Sequence, residues 1–220
     1  DYIDLCSKVS YDNGITWGRI QRNITGLSWW NQNPTMVYDE IRERILMHFS
    51  RLTMDILHYQ PVMYEHWVTV SKDGHIWEKP VLLDEQLKYL SPPAYPSLPG
   101  PGTLTMLRVN KYRGRIMIPV YFPHCYNQTM GYDCASSIYT DDGGYDGVYK
   151  SSKVEQALSP YGMAGMSESV IVETPNGEVI LNMRAGGWSG DSARGIAVSL
   201  NGGEIFGPVL FDTSLFDPAS

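Results

Sequence analysis

Apolar and β-branched residues gather in short runs separated by turn-forming clusters. HWVTV (66–70), RIMIPVYF (115–122), SVIVE (169–173), VILNM (179–183) and GIAVSL (195–200) each have the length and composition of a strand. PNGE (175–178) and NGG (201–203) bound them. Asn176-Gly177 between two such runs predicts a hairpin, because both residues tolerate positive φ. From 165 to 203 the pattern predicts three consecutive antiparallel strands. One segment carries two periods. In EIRERILMHF (40–49), Ile41, Ile45, Leu46 and Phe49 fall at helical spacing, whereas MVYD and ILMHF would pair as a hairpin across the charged DEIRER. Local pattern alone leans to helix; the β-rich surroundings favour the hairpin, which is the expectation adopted. The proline-rich SPPAYPSLPGPG (91–102) is too short for a domain linker and is expected to be an ordered loop.

A turn motif recurs. SYDNGITW places Ser10, Asp12, Gly14 and Trp17 in the pattern Ser-x-Asp-x-Gly-x-x-Trp. SKDGHIW repeats it with Ser71, Asp73 and Trp77, one residue shorter. YTDDGGYDGVY offers Asp141 and Gly143, with Tyr145 and Tyr149 near the aromatic position. SLNGGEIF offers Ser199, Asn201, Gly203 and Phe206. The copies start roughly sixty to seventy residues apart, the spacing of one turn per sheet in a repeat architecture. In each, an Asp or Asn can accept backbone N–H groups across the turn, a Gly supplies positive φ, and the aromatic is expected to pack the turn onto its sheet.

Composition narrows the class. A chain of 220 residues with 43% hydrophobic residues is long enough to bury a sizeable core. A formal charge of −7 argues against a nucleic-acid partner, and no apolar run reaches the length of a membrane span. DYIDLC at the start has neither a basic end nor an apolar core, as expected of a mature product or a fragment. Of three cysteines, Cys125 and Cys134 are close enough to close a small loop, leaving Cys6. Asn23 and Asn127 stand in Asn-x-Thr glycosylation triplets, which points to a secreted or lysosomal route.

The four turns resemble the Asp-box of the sialidase (neuraminidase) superfamily. So do WNQNPTMVYDEIRERILMHF (30–49), PGPGTLTMLRVNKYRGRIMIPVY (99–121), ESVIVETPNGEVILNMR (168–184) and RGIAVSLNGG (194–203), in the family's order. The resemblance implies an all-β fold, the six-bladed β-propeller of sialidase type, here about four blades' worth. Residues 1–220 would form one partial propeller domain, open at both ends and prone to aggregate by itself. It further implies a retaining exo-α-sialidase that takes terminal sialic acid from glycoprotein or glycolipid glycans and needs no cofactor.

In that family three arginines grip the sialic-acid carboxylate, for which the planar guanidinium fork is suited. Arg184 matches the second of them. A tyrosine is the nucleophile, with a glutamate as its base, and Glu168 matches that glutamate. By residue type alone, Glu168 and Arg184 at the open end of a hairpin would be a surface ion pair of small worth. The family's acid/base aspartate and first arginine precede the first box, and its third arginine and tyrosine follow the stretch LFDPAS. Asp1 and Asp4 do not fall at the expected distance from Ser10, so this polypeptide alone is not expected to turn over substrate.

Rival chemistries have less support. GMSES and GWSG both miss the Gly-x-Ser-x-Gly nucleophile elbow. Asp141, Asp142 and Asp146 depart from calcium-loop register, and His48, His58, His66, His75 and His124 lack metal-ligand spacing. Glu173 is assigned a structural role, and Trp29, Trp30, Trp67 and Trp188 a packing role. A non-catalytic Asp-box propeller, a sialic-acid lectin and a closed four-bladed propeller are the alternatives.

Overall fold

The computed structural model describes residues 3–26, 30–55, 60–90, 97–122, 133–155, 165–185 and 193–216. Asn127, Cys125, Trp29 and Trp188 lie outside them. β1 (Leu5–Ser7) and β2 (Gln21–Ile24) form an antiparallel ribbon. β3 (Trp30–Asp39), β4 (Arg44–Asp55), β5 (Gln60–Ser71) and β6 (Val81–Leu82) follow as a four-stranded meander, and a short helix, α1 (Asp84–Lys88), leads out of it. The next sheet orders β11-β10-β9-β7, with β8 also on β9; these are β7 (Leu98–Pro99), β8 (Thr105–Met106), β9 (Ile116–Phe122), β10 (Cys134–Thr140) and β11 (Tyr149–Ser151). β12 (Lys153–Glu155) leads to a sheet of β13 (Ser169–Glu173), β14 (Val179–Met183) and β15 (Ala193–Ser199). β16 (Ile205–Pro208) pairs in parallel with β12, and β17 (Leu210–Phe216) completes the last sheet beside β15.

The hairpin prevails over the helix at 40–49 for a local reason. Asp39 Oδ1 accepts the N–H groups of Ile41 and Arg42 at 3.0 and 3.1 Å, which closes a tight turn, and Glu43 takes a φ of 50°. Asn33 also takes positive φ, and the β3–β4 register slips between Gln32 and Thr35, where Pro34 has no N–H to give.

Side-chain alternation stacks these sheets face to face. On β4, Leu46 joins the core shared with the β7–β11 sheet, while Met47 and Phe49 face the β1–β2 ribbon. On β9, Ile116, Ile118 and Val120 face the β3–β6 sheet, while Met117 faces the β13–β17 sheet. The middle sheets are thus buried on both faces, which is why IMIPVYF reads as one unbroken apolar run. Sheets stacked in sequence order, with a turn after β5, β10 and β15 and another between β1 and β2, are the sialidase-type propeller expected.

Within the β3–β6 sheet two histidines lie buried in series. His66 Nε2 meets the carbonyl of Ser97 at 2.8 Å, an acceptor only, so that nitrogen carries the proton. His66 Nδ1 therefore accepts from His48 Nε2–H at 3.0 Å, which leaves His48 Nδ1 buried without a partner. Burial pushes His48 well below the usual imidazole range and His66 down to about 4. The unfolded chain then binds more protons below pH 6.5, so stability falls as pH falls from 6.5 toward 4. Asp84, whose Oδ1 accepts the backbone N–H of His66, opposes this: burial raises its carboxyl to about 6, so it favours folding as pH falls from 6 toward 4. Two imidazoles outweigh one carboxyl. The thermal midpoint is expected to fall between pH 7 and 5, by the equivalent of about 1–2 kcal/mol, and Asp84→Asn should steepen the fall. A midpoint unchanged or higher at pH 5 would contradict a neutral histidine pair.

Candidate active site

The four turns share one hydrogen-bond plan. In the first, Ser10 Oγ donates to Asp12 Oδ1 at 2.7 Å and accepts from Gly14 N at 2.7 Å, while Asp12 takes the Thr16 N–H at 2.8 Å. The Thr16 hydroxyl and amide, with Ser10, hold the Asp12 carboxyl down to about 2. Ser71, Asp73 and Gly74 repeat the plan, with Asp73 Oδ1 accepting from His75 and Ile76. So do Ser199, Asn201 and Gly203, with Ile205 N on Asn201 Oδ1 at 3.0 Å. Gly14, Gly74 and Gly203 all take positive φ.

Two expectations for the turns are corrected. In the third copy the roles fall one residue later than Asp141: Thr140 replaces Ser and donates to Asp142, which accepts Val148 N at 2.9 Å. Gly143 does take positive φ, as does Gly144, but Asp141 turns outward to Arg115 at 2.7 Å and Lys150 at 3.2 Å. The sequence offers two adjacent acids, and only the second lies two residues beyond a Ser or Thr. The aromatic position also varies. Tyr149 and Phe206 are buried in the inter-sheet cores and Trp77 packs beside Phe49, yet Trp17 is 60% exposed. Among the described residues no sheet lies on that side of the β1–β2 ribbon.

All four turns sit on one rim, and the Glu168–Arg184 pair sits on the other. Ser199 pairs with Val179, which pairs with Glu173, whereas Ser169 at the far end of β13 pairs with Met183. That is about 13 Å of strand between the turn rim and the opposite rim. The β13–β14 hairpin is closed by Gly177 N on Thr174 O at 2.9 Å, and its ladder runs past the strands to Arg184 N on Glu168 O at 2.8 Å. Glu168 and Arg184 are therefore cross-strand neighbours at the open end, with Arg184 Nη1 donating to Glu168 Oε2 at 2.7 Å. Their side chains are 38% and 22% exposed. The PGPG loop buttresses them: a Cβ on Gly102 would stand 2.5 Å from the Ser169 carbonyl and 2.9 Å from Val170 Cγ2.

A residue that the sequence pattern did not single out joins this rim. Tyr121, at the end of β9, has its phenol pushed up to about 12, first by burial and then by the Glu168 and Asp133 carboxylates and Tyr64, with Arg184 partly offsetting them. It stays a neutral phenol beside the Glu168–Arg184 pair. Tyr64 from β5, itself raised by burial, lies within electrostatic range. Glu173 is occupied structurally, accepting from Arg108 N at 2.6 Å and Val109 N at 3.2 Å. Asn23 Nδ2, the atom a glycan would modify, donates to Ser7 Oγ at 2.8 Å. Cys134 is disulfide-bonded and Cys6 is free.

The chain is similar in sequence to a curated sialidase of Micromonospora viridifaciens: 37% identical over 86 residues, which is 39% of this chain and 12% of that protein. Its fold is similar to the Hadza microbial sialidase Hz136 (TM-score 0.68, 17% identity, 93% of this chain and 40% of that one). It is likewise similar to the leech intramolecular trans-sialidase complexed with 2,7-anhydro-Neu5Ac (TM-score 0.70, 13% identity, 94% and 46%). The chain thus spans less than half the length of each of these proteins. No family model matches it. Sequence and fold together bear out the resemblance to the sialidase superfamily.

Proposed function

We propose, from a chain of the sialidase superfamily with its propeller fold, that the protein carrying these residues is a retaining exo-α-sialidase acting on sialylated glycoconjugates. The observation that carries the reading is the Glu168–Arg184 pair at 2.7 Å on the rim opposite the structural turns, beside the half-buried Tyr121 phenol. Arg184 has the task of holding the sugar carboxylate. Its Nη1 is committed to Glu168, and among the described residues the rest of the fork has no acceptor, so a second carboxylate can be taken bidentately. Glu168 is the base that takes a proton from a tyrosine nucleophile. A neutral phenol suits a substrate that already carries a carboxylate, because it approaches without like-charge repulsion. Tyr121 stands beside the pair as an uncharged phenol, and residues 1–220 act as one propeller domain.

The test is hydrolysis of a fluorogenic aryl α-sialoside by the protein containing this chain, with Arg184→Met beside it. Wild type should release the aglycone, and the variant should raise KM roughly 10- to 100-fold by losing the charge-assisted fork. Sialic-acid binding without hydrolysis would sink the enzyme in favour of a lectin. Neither binding nor hydrolysis would leave a structural propeller.

A further inference from the structure

A cleft of about 410 Å³ opens on the turn rim, between the second turn (71–76) and the third (140–146). It stands at the opposite ends of the strands from Tyr64, Tyr121 and Glu168. The Ile45–Ser71 and Ile116–Thr140 pairs end the β3–β6 and β7–β11 sheets on this rim. Its volume is within the range of small-molecule sites. Val70 is part of its lining, and Tyr145 is held in place by its hydroxyl, which donates to Lys79 O at 2.7 Å.

Arg44 is the group that asks for a ligand. Its Nη2 donates to Gly143 O at 3.1 Å, but its Nε–H is buried without an acceptor. Among the described residues no carboxylate lies within ion-pair distance of it. A buried donor left unmade is destabilising, so an oxygen acceptor entering the cleft recovers that loss. The cleft also presents Glu78 and Asp146, and neither carboxylate makes an ion pair among the described residues.

This mixture selects by elimination. A cationic ligand meets Arg44 and Lys72; an anionic one meets Asp73, Glu78 and Asp146. A wholly apolar ligand leaves Arg44 Nε unpaired. A neutral polyhydroxylated ring satisfies all three conditions. Its oxygens accept from Arg44, its hydroxyls donate to Glu78 or Asp146, and its C–H face lies against Tyr145. We propose that the cleft lined by Arg44 and Tyr145 is a binding site for a neutral pyranose unit of a glycan, separate from the Glu168–Arg184 rim. This proposal does not rest on the hydrolytic reading, which concerns an anionic sugar at the other rim.

Saturation-transfer NMR on the whole protein tests it, with methyl β-galactoside, methyl α-mannoside and N-acetylglucosamine as probes. At least one should receive saturation from the wild type, and its affinity should drop tenfold or more in Arg44→Met and in Tyr145→Ala. Unchanged thermal midpoints would show both variants folded; should Tyr145→Ala unfold, Arg44→Met decides alone. Arg184→Met should leave the neutral-sugar signal intact, so a failure of the hydrolytic reading is distinguishable. No transfer to any of the three sugars overturns the proposal, as does transfer undiminished in Arg44→Met. A thermal midpoint raised by sulfate, with no saturation transfer to any of the sugars, would also overturn it, showing an anion site.

Discussion

Glu168→Gln is expected to lower kcat on an aryl α-sialoside by roughly 10²- to 10⁴-fold, with KM changed by less than about threefold. Glutamine keeps the shape of the side chain and an oxygen for the 2.7 Å bond from Arg184. The guanidinium therefore stays where it is, and carboxylate binding survives. What disappears is the capacity to take a proton. A general base removed in this way costs the chemical step and not the association step. Equal losses in kcat/KM and in sialic-acid affinity would instead show that the charge of Glu168 merely positions Arg184. A variant retaining a tenth of wild-type kcat would remove Glu168 from the chemistry.

Arg115→Met should destabilise the fold by about 2–4 kcal/mol, which lowers Tm by roughly 6–12 °C. Arg115 is 5% exposed and ties two turns together. Its Nε donates to Asp141 at 2.7 Å and its Nη1 to the Gly202 carbonyl at 2.9 Å, while Nη2 reaches Glu204 at 3.1 Å. Its guanidinium carbon lies 4.2 Å from the ring centre of Tyr139 and 4.7 Å from that of Tyr112. Methionine keeps the stem volume but leaves the Gly202 carbonyl without this donor. Asp141 and Glu204 are 45% and 41% exposed and can rehydrate, which keeps the loss below that of a fully buried triad. Arg115→Lys should recover less than half of it, since an ammonium cannot reproduce the planar fork. A scanning-calorimetry midpoint within about 2 °C of wild type would show the clamp to be incidental.

Local signals carried most of the fold. Two-residue alternation and the Asn176-Gly177 turn located β13 to β15, and the recurrent turn motif located the sheets. What stayed hidden depends on partners far along the chain. β12 is three residues long and pairs in parallel with β16, about fifty residues away in sequence, so it has no local signature. The third turn was misplaced by one residue because Asp141 and Asp142 are alike as letters, and only their bonds to Arg115 and Thr140 tell them apart.

The candidate site divides in the same way. Glu168 and Arg184 were legible because one hairpin aligns them. Tyr121 was not, because its relation to Glu168 crosses between sheets and its burial is a property of the assembled rim. The histidine pair shows the same limit: His48 and His66 are 18 residues apart with no spacing rule, and strand pairing alone puts them in contact.

The separation of the two rims has a bearing on how such a protein can change over generations. Each structural turn closes on its own hydroxyl, carboxylate or amide, and glycine, and its requirements are met before any sugar arrives. The opposite rim contributes little to those requirements. Substitutions at the partly exposed Glu168 and Arg184 can therefore be tried at smaller risk to folding, whereas a lesion at Ser199 or Asp12 strikes the scaffold itself. A lineage built on this plan can vary that rim while inheriting its scaffold unaltered.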